Sequence, residues 1–157
     1  MKQDYLRWLI DNTKTTWWHD SADPAELALG IKRGAIGATT NPFLASVALS
    51  ANKTAWAAEI QSVLSQNSEP EKRAEGLMHI VVMHVVEQLL PQYEKTGGAT
   101  GYVCAQVNPN RAGDRETMLA MARRFSQWAP NIAVKLPATA AGSTCWKIAR
   151  PKGSRAR

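Results

Sequence analysis

Four short apolar segments that alternate with longer helical patterns constrain the fold of this chain more than any other feature of its sequence. The segments cover residues 15–18, 35–40, 102–107 and 131–136, and β-branched, aromatic and small apolar side chains dominate them. Strands that alternate with helices are typical of parallel sheets with right-handed crossovers. We therefore predict an α/β fold with about four parallel strands, each buried on both faces.

The composition is that of one globular domain of 157 residues, with 45% apolar and 20% charged residues. No segment contains 18 consecutive uncharged apolar residues, so we expect no membrane interaction. The first residues lead into a mixed helix rather than an apolar signal core, and export is not indicated. The two cysteines, Cys104 and Cys145, lack metal-ligand spacing and favour a reducing compartment. We therefore expect a cytoplasmic protein without a metal ion or cofactor.

The net charge of +6 is unevenly distributed. Residues 143–157 contain five basic side chains and no acidic one, so the rest of the chain has 14 basic against 13 acidic residues. A near-neutral body gives no electrostatic footprint for DNA or RNA, and we expect no nucleic-acid partner. Nucleic-acid binding through residues 147–157 is the weakest alternative.

Polar side chains follow the predicted strands, at the point where each strand ends. They are Asp20, Asn41, Gln106 and Lys135. In a (β/α) barrel the active site is built at this end of the strands. Lys135 lies in the apolar run 134–139, which would desolvate its amine and disfavour the ammonium form. A neutral amine can attack a carbonyl and form a Schiff base.

Four motifs at these positions resemble the transaldolase family, in order and at compatible spacing over residues 13–142. The most recognisable is the Thr-Thr-Asn-Pro turn within Gly37 to Leu44. The others are residues 17–23, 101–109 and 134–139. Each motif alone is a weak signal, whereas four in order make a specific match.

The resemblance implies a (β/α)8 TIM barrel that transfers a dihydroxyacetone unit between sugar phosphates in the pentose phosphate pathway. By position, Lys135 would attack the ketone of a ketose phosphate. Asp20 would take and return the proton of the cleaved hydroxyl. Asn41 would bind hydroxyls of the three-carbon unit, and Thr39 and Thr40 of the same motif are also implied as substrate-binding residues.

Gln106 occupies the position of a glutamate in most of the family, where the resemblance places a third catalytic residue. A glutamine orients a water by hydrogen bonds but cannot act as a base. Glutamine at this position resembles the fructose-6-phosphate aldolase branch. Aldol cleavage therefore competes with transfer as the predicted chemistry.

Each candidate also has an ordinary structural explanation. Asp20 and Asn41 are common turn and cap residues. Gln106 could be a satisfied buried amide, and a single lysine such as Lys135 is more often a solvated surface charge. His79 and His84 are five residues apart, a poor spacing for a shared metal ion that favours packing or surface positions. His19 is next to Asp20 and could tune the site, but a position at the barrel rim is favoured.

The segment after residue 142 departs from the barrel pattern. It lacks an apolar helical period and is rich in Pro, Gly and basic residues, which predicts disorder. Its possible codons, read one base earlier, permit Leu-Asp-Val-Leu-Glu-Asp and then Gly-Ile-Thr, a helix followed by a strand. We therefore expect residues 1–142 to be the N-terminal half of a transaldolase-like barrel and residues 143–157 to be a non-homologous tail after a frameshift.

A half-barrel of four strands would have two open sheet edges, which predict self-association. It would also lack the other half's groups for the substrate phosphate. We expect impaired catalysis, and a non-catalytic half-barrel is the alternative.

Overall fold

A parallel sheet of three strands forms the centre of the structure, a computed structural model that describes residues 5–149. All three strands lie within predicted segments, so the α/β class and the parallel arrangement are confirmed. The sheet has the order β1-β2-β3, formed by β1 (Gly37–Thr39), β2 (Tyr102–Gln106) and β3 (Ile132–Lys135).

Seven α-helices and one 3₁₀ turn, η1, surround or connect the strands in the described part of the chain. None of the helices within residues 5–149 is both long and apolar enough to span a membrane. In chain order they are α1 (Tyr5–Asn12), α2 (Pro24–Lys32), α3 (Pro42–Ala51), α4 (Ala57–Gln66), α5 (Pro70–Lys95), η1 (Pro109–Arg111), α6 (Arg115–Phe125) and α7 (Ala140–Ala149).

The predicted strand at residues 15–18 is wrong as a strand, because this part of the chain forms only an isolated parallel bridge between His19 and Ala38. The backbone still follows β1 for a short distance: Ile36 N donates to Trp17 O at 3.0 Å, and His19 N donates to Gly37 O at 2.9 Å. The segment is therefore too short and too weakly paired to count as a fourth strand, although it lies where that strand was expected.

Helix starts follow the local sequence. Asp23 accepts hydrogen bonds from Ala25 N at 2.9 Å and from Glu26 N at 3.0 Å, and Pro24 occupies the first helical position of α2. The long helix α5 packs against β2 and against α2, α3 and α4. Its buried stripe recurs at helical spacing and consists of Met78, Val81, Val82, Val85, Val86 and Leu89.

The expectation of disorder after residue 142 is wrong for residues 143–149, which belong to α7. The Thr139 hydroxyl accepts a hydrogen bond from Gly142 N at 3.1 Å and caps this helix. Cys145 is fully buried where α7 packs against α6, and its thiol donates to Arg115 O at 3.2 Å. The Pro and Gly residues that suggested disorder come later, and residues 150–157 lie outside the described residues.

His79 on α5 provides a pH-dependent contribution to stability. Its ring packs edge-on against Trp128 with centroids 4.7 Å apart. Burial lowers the pKa of His79, and the nearby Glu75 carboxylate partly opposes this effect. A histidine pKa that is lower in the folded state favours folding above the unfolded pKa of about 6.5, and this stability is lost as the pH falls.

We expect the urea midpoint of the chain to fall between pH 7.5 and pH 5. His79→Gln should flatten this dependence, because glutamine does not titrate. Urea denaturation at a series of pH values measures it. An unchanged slope in the variant would show that other groups cause the acid sensitivity.

Candidate active site

The two faces of the sheet differ in burial. Val103 and Ala105 of β2 are fully buried against the helices. Cys104, which lies between them, and Gln106, which follows them, are only partly buried. Side chains alternate between faces along a strand, so Cys104 and Gln106 share the face opposite the helices. We call this face, together with its paired positions Thr39, Ala133 and Lys135, the open face.

Gln106 and Lys135 are directly paired at the carboxyl ends of β2 and β3. Neighbouring strands lie about 4.8 Å apart, so the two side chains leave the open face next to each other. The Lys135 side chain is exposed, and the expected desolvation is therefore wrong for the described chain. The cause is local: Ile132 and Val134 pack against the core, whereas Lys135 is exposed and no further strand pairs with β3 among residues 5–149.

Asp20 lies at the same carboxyl end of the sheet, immediately after the His19–Ala38 bridge. The Thr39 hydroxyl donates a hydrogen bond to Asp20 Oδ1 and links the carboxylate to the end of β1. Thr39 in turn pairs with Cys104 of β2. The carboxyl end of the sheet thus holds an aspartate on residues 17–20, an amide on β2 and a lysine on β3.

Thr40 and Asn41 have structural contacts. Thr40 is fully buried, and its hydroxyl donates to Cys104 O at 2.6 Å, which ties the end of β1 to β2. The Asn41 side-chain oxygen accepts from Leu44 N at 2.9 Å and caps α3. The cap uses only this oxygen, so the Asn41 amide nitrogen is a donor that the cap does not use.

Residues 17–155 match the sequence profile of the transaldolase/fructose-6-phosphate aldolase family. The chain belongs to this family. The matched range continues past residue 142, and the boundary placed there stays a prediction.

Individual relatives agree with this assignment. A transaldolase of Neisseria gonorrhoeae is 34% identical over 119 residues, which cover 74% of this chain and 34% of the relative. A transaldolase of Thiobacillus denitrificans is 31% identical over 137 residues, or 85% of this chain and 36% of the relative. This transaldolase-family chain therefore spans about a third of the length of the curated relatives that it matches.

The reactivity of Cys104 in this family member depends on the nearby charge of Lys135 and can be used to test its position. Burial raises the pKa of the Cys104 thiol, and the positive charge of Lys135 partly lowers it. We expect Cys104 to react with iodoacetamide only above the usual pH range of a thiol. Lys135→Ala should move this profile to still higher pH, because the thiolate loses a favourable neighbour.

Alkylation rates at a series of pH values, with peptide mass spectrometry to separate the two cysteines, measure this effect. Cys145 is buried and serves as an internal reference. Lys53→Ala removes another lysine as a matched control and should leave the profile unchanged. An identical shift in both variants would contradict the placement of Lys135 beside Cys104.

Sequence reasoning missed a cleft of about 430 Å³ that Gln106 shares with α5, η1 and α6. Its walls carry two ion pairs, Arg111 with Glu71 at 2.5 Å and Arg124 with Glu75 at 2.8 Å. The hydrogen bonds to Glu75 raise the pKa of Arg124. The partners are 40 and 49 residues apart in sequence, so no local pattern signals them.

Proposed function

We propose that this chain carries the lysine-bearing part of a transaldolase-type active site that forms a Schiff base with sugar phosphates. The observation that supports it is the pairing of Gln106 with Lys135 at the carboxyl end of the sheet, where Thr39 also holds the Asp20 carboxylate. Family membership points to the same chemistry. The proposed setting is the pentose phosphate pathway in the cytoplasm.

The proposed reaction begins when the neutral amine of Lys135 attacks the ketone carbon of a ketose phosphate. Loss of water leaves an iminium ion, which accepts the electron pair of the bond between its α and β carbons when that bond breaks, so that a three-carbon enamine stays on the lysine. Asp20 takes the proton of the cleaved hydroxyl and later returns it to the acceptor aldehyde. The free Asn41 amide donates a hydrogen bond to a hydroxyl of the three-carbon unit that stays on Lys135.

Gln106 supports a second candidate function, aldol cleavage without transfer. Its amide orients a water at the paired Lys135 but cannot remove a proton from it. In a transfer reaction the three-carbon unit leaves with an aldehyde acceptor, whereas in aldol cleavage it leaves by hydrolysis. Product analysis with and without an aldehyde acceptor distinguishes these functions, because only the lyase releases both fragments without one.

The proposed fold is a partial (β/α)8 barrel. In it, β1, β2, β3 and the segment around His19 form one part of the barrel wall. Because the open face is uncovered among residues 5–149, we expect slower turnover than in the longer relatives. A non-catalytic half-barrel is the corresponding alternative.

Borohydride trapping tests the Schiff base. The chain is incubated with fructose 6-phosphate, reduced with borohydride and digested, and the modified peptide is identified by mass spectrometry. We expect the adduct on Lys135 and its complete loss in Lys135→Arg, while Lys53→Arg serves as the matched lysine control. A folded wild-type chain without an adduct at Lys135 would contradict the proposal.

Gln106→Glu tests the role assigned to the amide. A carboxylate at this position can act as a base, so hydrolysis of the lysine adduct should become faster as the pH rises through the ordinary glutamate range near 4.3. The rate of adduct decay between pH 3.5 and 7 measures it in both proteins. If wild type and variant decay with the same pH profile, Gln106 does not contact the water.

A further inference from the structure

One edge of the sheet is formed by β3 and is uncovered among residues 5–149. Val103 N donates to Asn131 O at 2.9 Å, and Val107 N donates to Lys135 O at 3.2 Å. Backbone groups of successive residues in a parallel strand point alternately to its two neighbours. Val134, which precedes Lys135, therefore directs its N–H and C=O away from β2 and toward the open edge.

The opposite edge is the segment of residues 17–20. His19 N donates to Gly37 O at 2.9 Å and Thr39 N donates to His19 O at 2.8 Å, so the His19 backbone faces β1. By the same alternation, Trp18 and Asp20 direct their backbone groups outward. Exposed edges of this kind are templates for pairing with another chain.

The open face between these edges carries side chains that a barrel interior would hold. The Trp18 side chain is 37% exposed and lies against the face at Gly37. Cys104 projects from the central strand and is only partly buried, and Lys135 at the end of β3 is exposed. A partner that covers this face would bury an indole ring and desolvate the lysine at the same time.

We propose that a second copy of this chain closes the sheet, with β3 of one copy parallel to residues 17–20 of the other. A two-fold axis along the strands repeats this pairing at the second edge, so both edges of both copies are covered. Each copy contributes its three strands and residues 17–20. The four segments of one copy and the four of the other then form a closed ring of eight segments.

Charge complementarity favours this occupant. Asp20 lies at the carboxyl end of one edge, and Lys135 lies at the carboxyl end of the other. When the edges pair in parallel, Asp20 of one copy comes next to Lys135 of the other, twice in each dimer. Opposite charges at these positions set the register and disfavour the antiparallel alternative, which would separate them.

The first test is the mass of the full 157-residue chain by size-exclusion chromatography with light scattering. We expect a uniform species of twice the 17.2 kDa chain mass. A monomer would show that the edges remain open or are covered from within the chain, and it would overturn the proposal. A continuous series of larger aggregates would overturn it as well.

The second test exchanges the two charges. Lys135→Asp and Asp20→Lys each place like charges together, and each should weaken dimerisation about tenfold, whereas the double variant should recover most of the affinity. Lys53→Asp has the same charge change as Lys135→Asp but lies away from both edges and should have no effect. Sedimentation equilibrium gives the constants, and far-UV circular dichroism checks that each variant is folded.

Val134→Pro provides an independent disruption, because it removes an N–H that faces the edge while the bonds between β2 and β3 remain. It should yield a folded monomer. Two single charge variants that dimerise like wild type, or a double variant that fails to recover, would overturn the proposal. Dimer mass requires no substrate and lysine trapping requires no dimer, so the failure of one is distinguishable from the failure of the other.

Discussion

Replacement of Gly101 by alanine is expected to destabilise the chain severely, whereas the same replacement at Gly97 should have a much smaller effect. Gly101 has a φ of +86°, and a β-carbon there would lie 2.4 Å from Tyr93 N and 2.8 Å from Leu89 O. Both obstacles are backbone atoms of α5, which cannot rotate away. Gly97 has a φ of +59°, but its β-carbon would meet no heavy atom within 4 Å.

The matched pair separates backbone strain from steric overlap. Alanine in the left-handed region costs about 1–2 kcal/mol, and we expect this loss at Gly97. At Gly101 the overlap forces α5 and β2 apart, so the loss should exceed about 4 kcal/mol, a large part of a typical domain stability. Urea denaturation followed by circular dichroism measures both. Equal losses in the free energy of unfolding would mean that α5 and the start of β2 can move apart to accommodate the β-carbon with little energetic penalty.

The close approach at Gly101 also explains why this part of the chain is organised as it is. Gly101 N donates to Ile36 O at 2.7 Å, and its carbonyl accepts from Asn131 Nδ2 at 2.9 Å. Asn131 is fully buried. One residue thus connects the starts of the segments that lead to β1, β2 and β3. No local sequence pattern signals these two hydrogen bonds, because their partners lie 30 or more positions away from Gly101.

The strands were predictable from short runs of β-branched and small apolar residues, as in residues 102–107, although only one face of β2 is fully buried and the expected burial on both faces is wrong. The segment at residues 15–18 also consists of β-branched and aromatic residues, yet it leads only into an isolated bridge at His19. Composition indicates that a segment can form a strand. Its actual pairing depends on the backbone of a neighbouring segment, which here lies about 20 residues later in the chain. The helix α7 was missed for a related reason, because its cap on Thr139 and its packing through Cys145 are tertiary contacts.

The positions of the candidate site residues at strand ends were predictable from the sequence, but the burial of their side chains was only partly so. Of the four residues expected to converge, Asp20, Gln106 and Lys135 lie at the carboxyl end of the sheet, and the Asn41 side chain caps α3. The expected desolvation of Lys135 is wrong, since the neighbouring residues that suggested burial point to the helices instead. Alternation along a strand therefore decides the environment of a side chain more than the apolarity of the run around it.

The two phenylalanines of the chain give the second large effect. Phe125 is 2% exposed and stacks on Trp128 with ring centroids 4.2 Å apart, whereas Phe43 is 73% exposed. Phe125→Ala removes a core ring and leaves a cavity beneath α6, which should lower the free energy of unfolding by about 3–5 kcal/mol. Phe43→Ala removes the same atoms from a solvated position and should change it by less than about 0.5 kcal/mol.

Urea denaturation of both variants at low protein concentration measures this contrast, because the same side chain is truncated in two environments. A small loss at Phe125 would contradict the packing of α6 against the core. A large loss at Phe43 would show that this ring is covered in solution. If that loss grew with protein concentration, the cover would be a second chain that also reaches α3, beyond the sheet edges from which dimerisation was inferred.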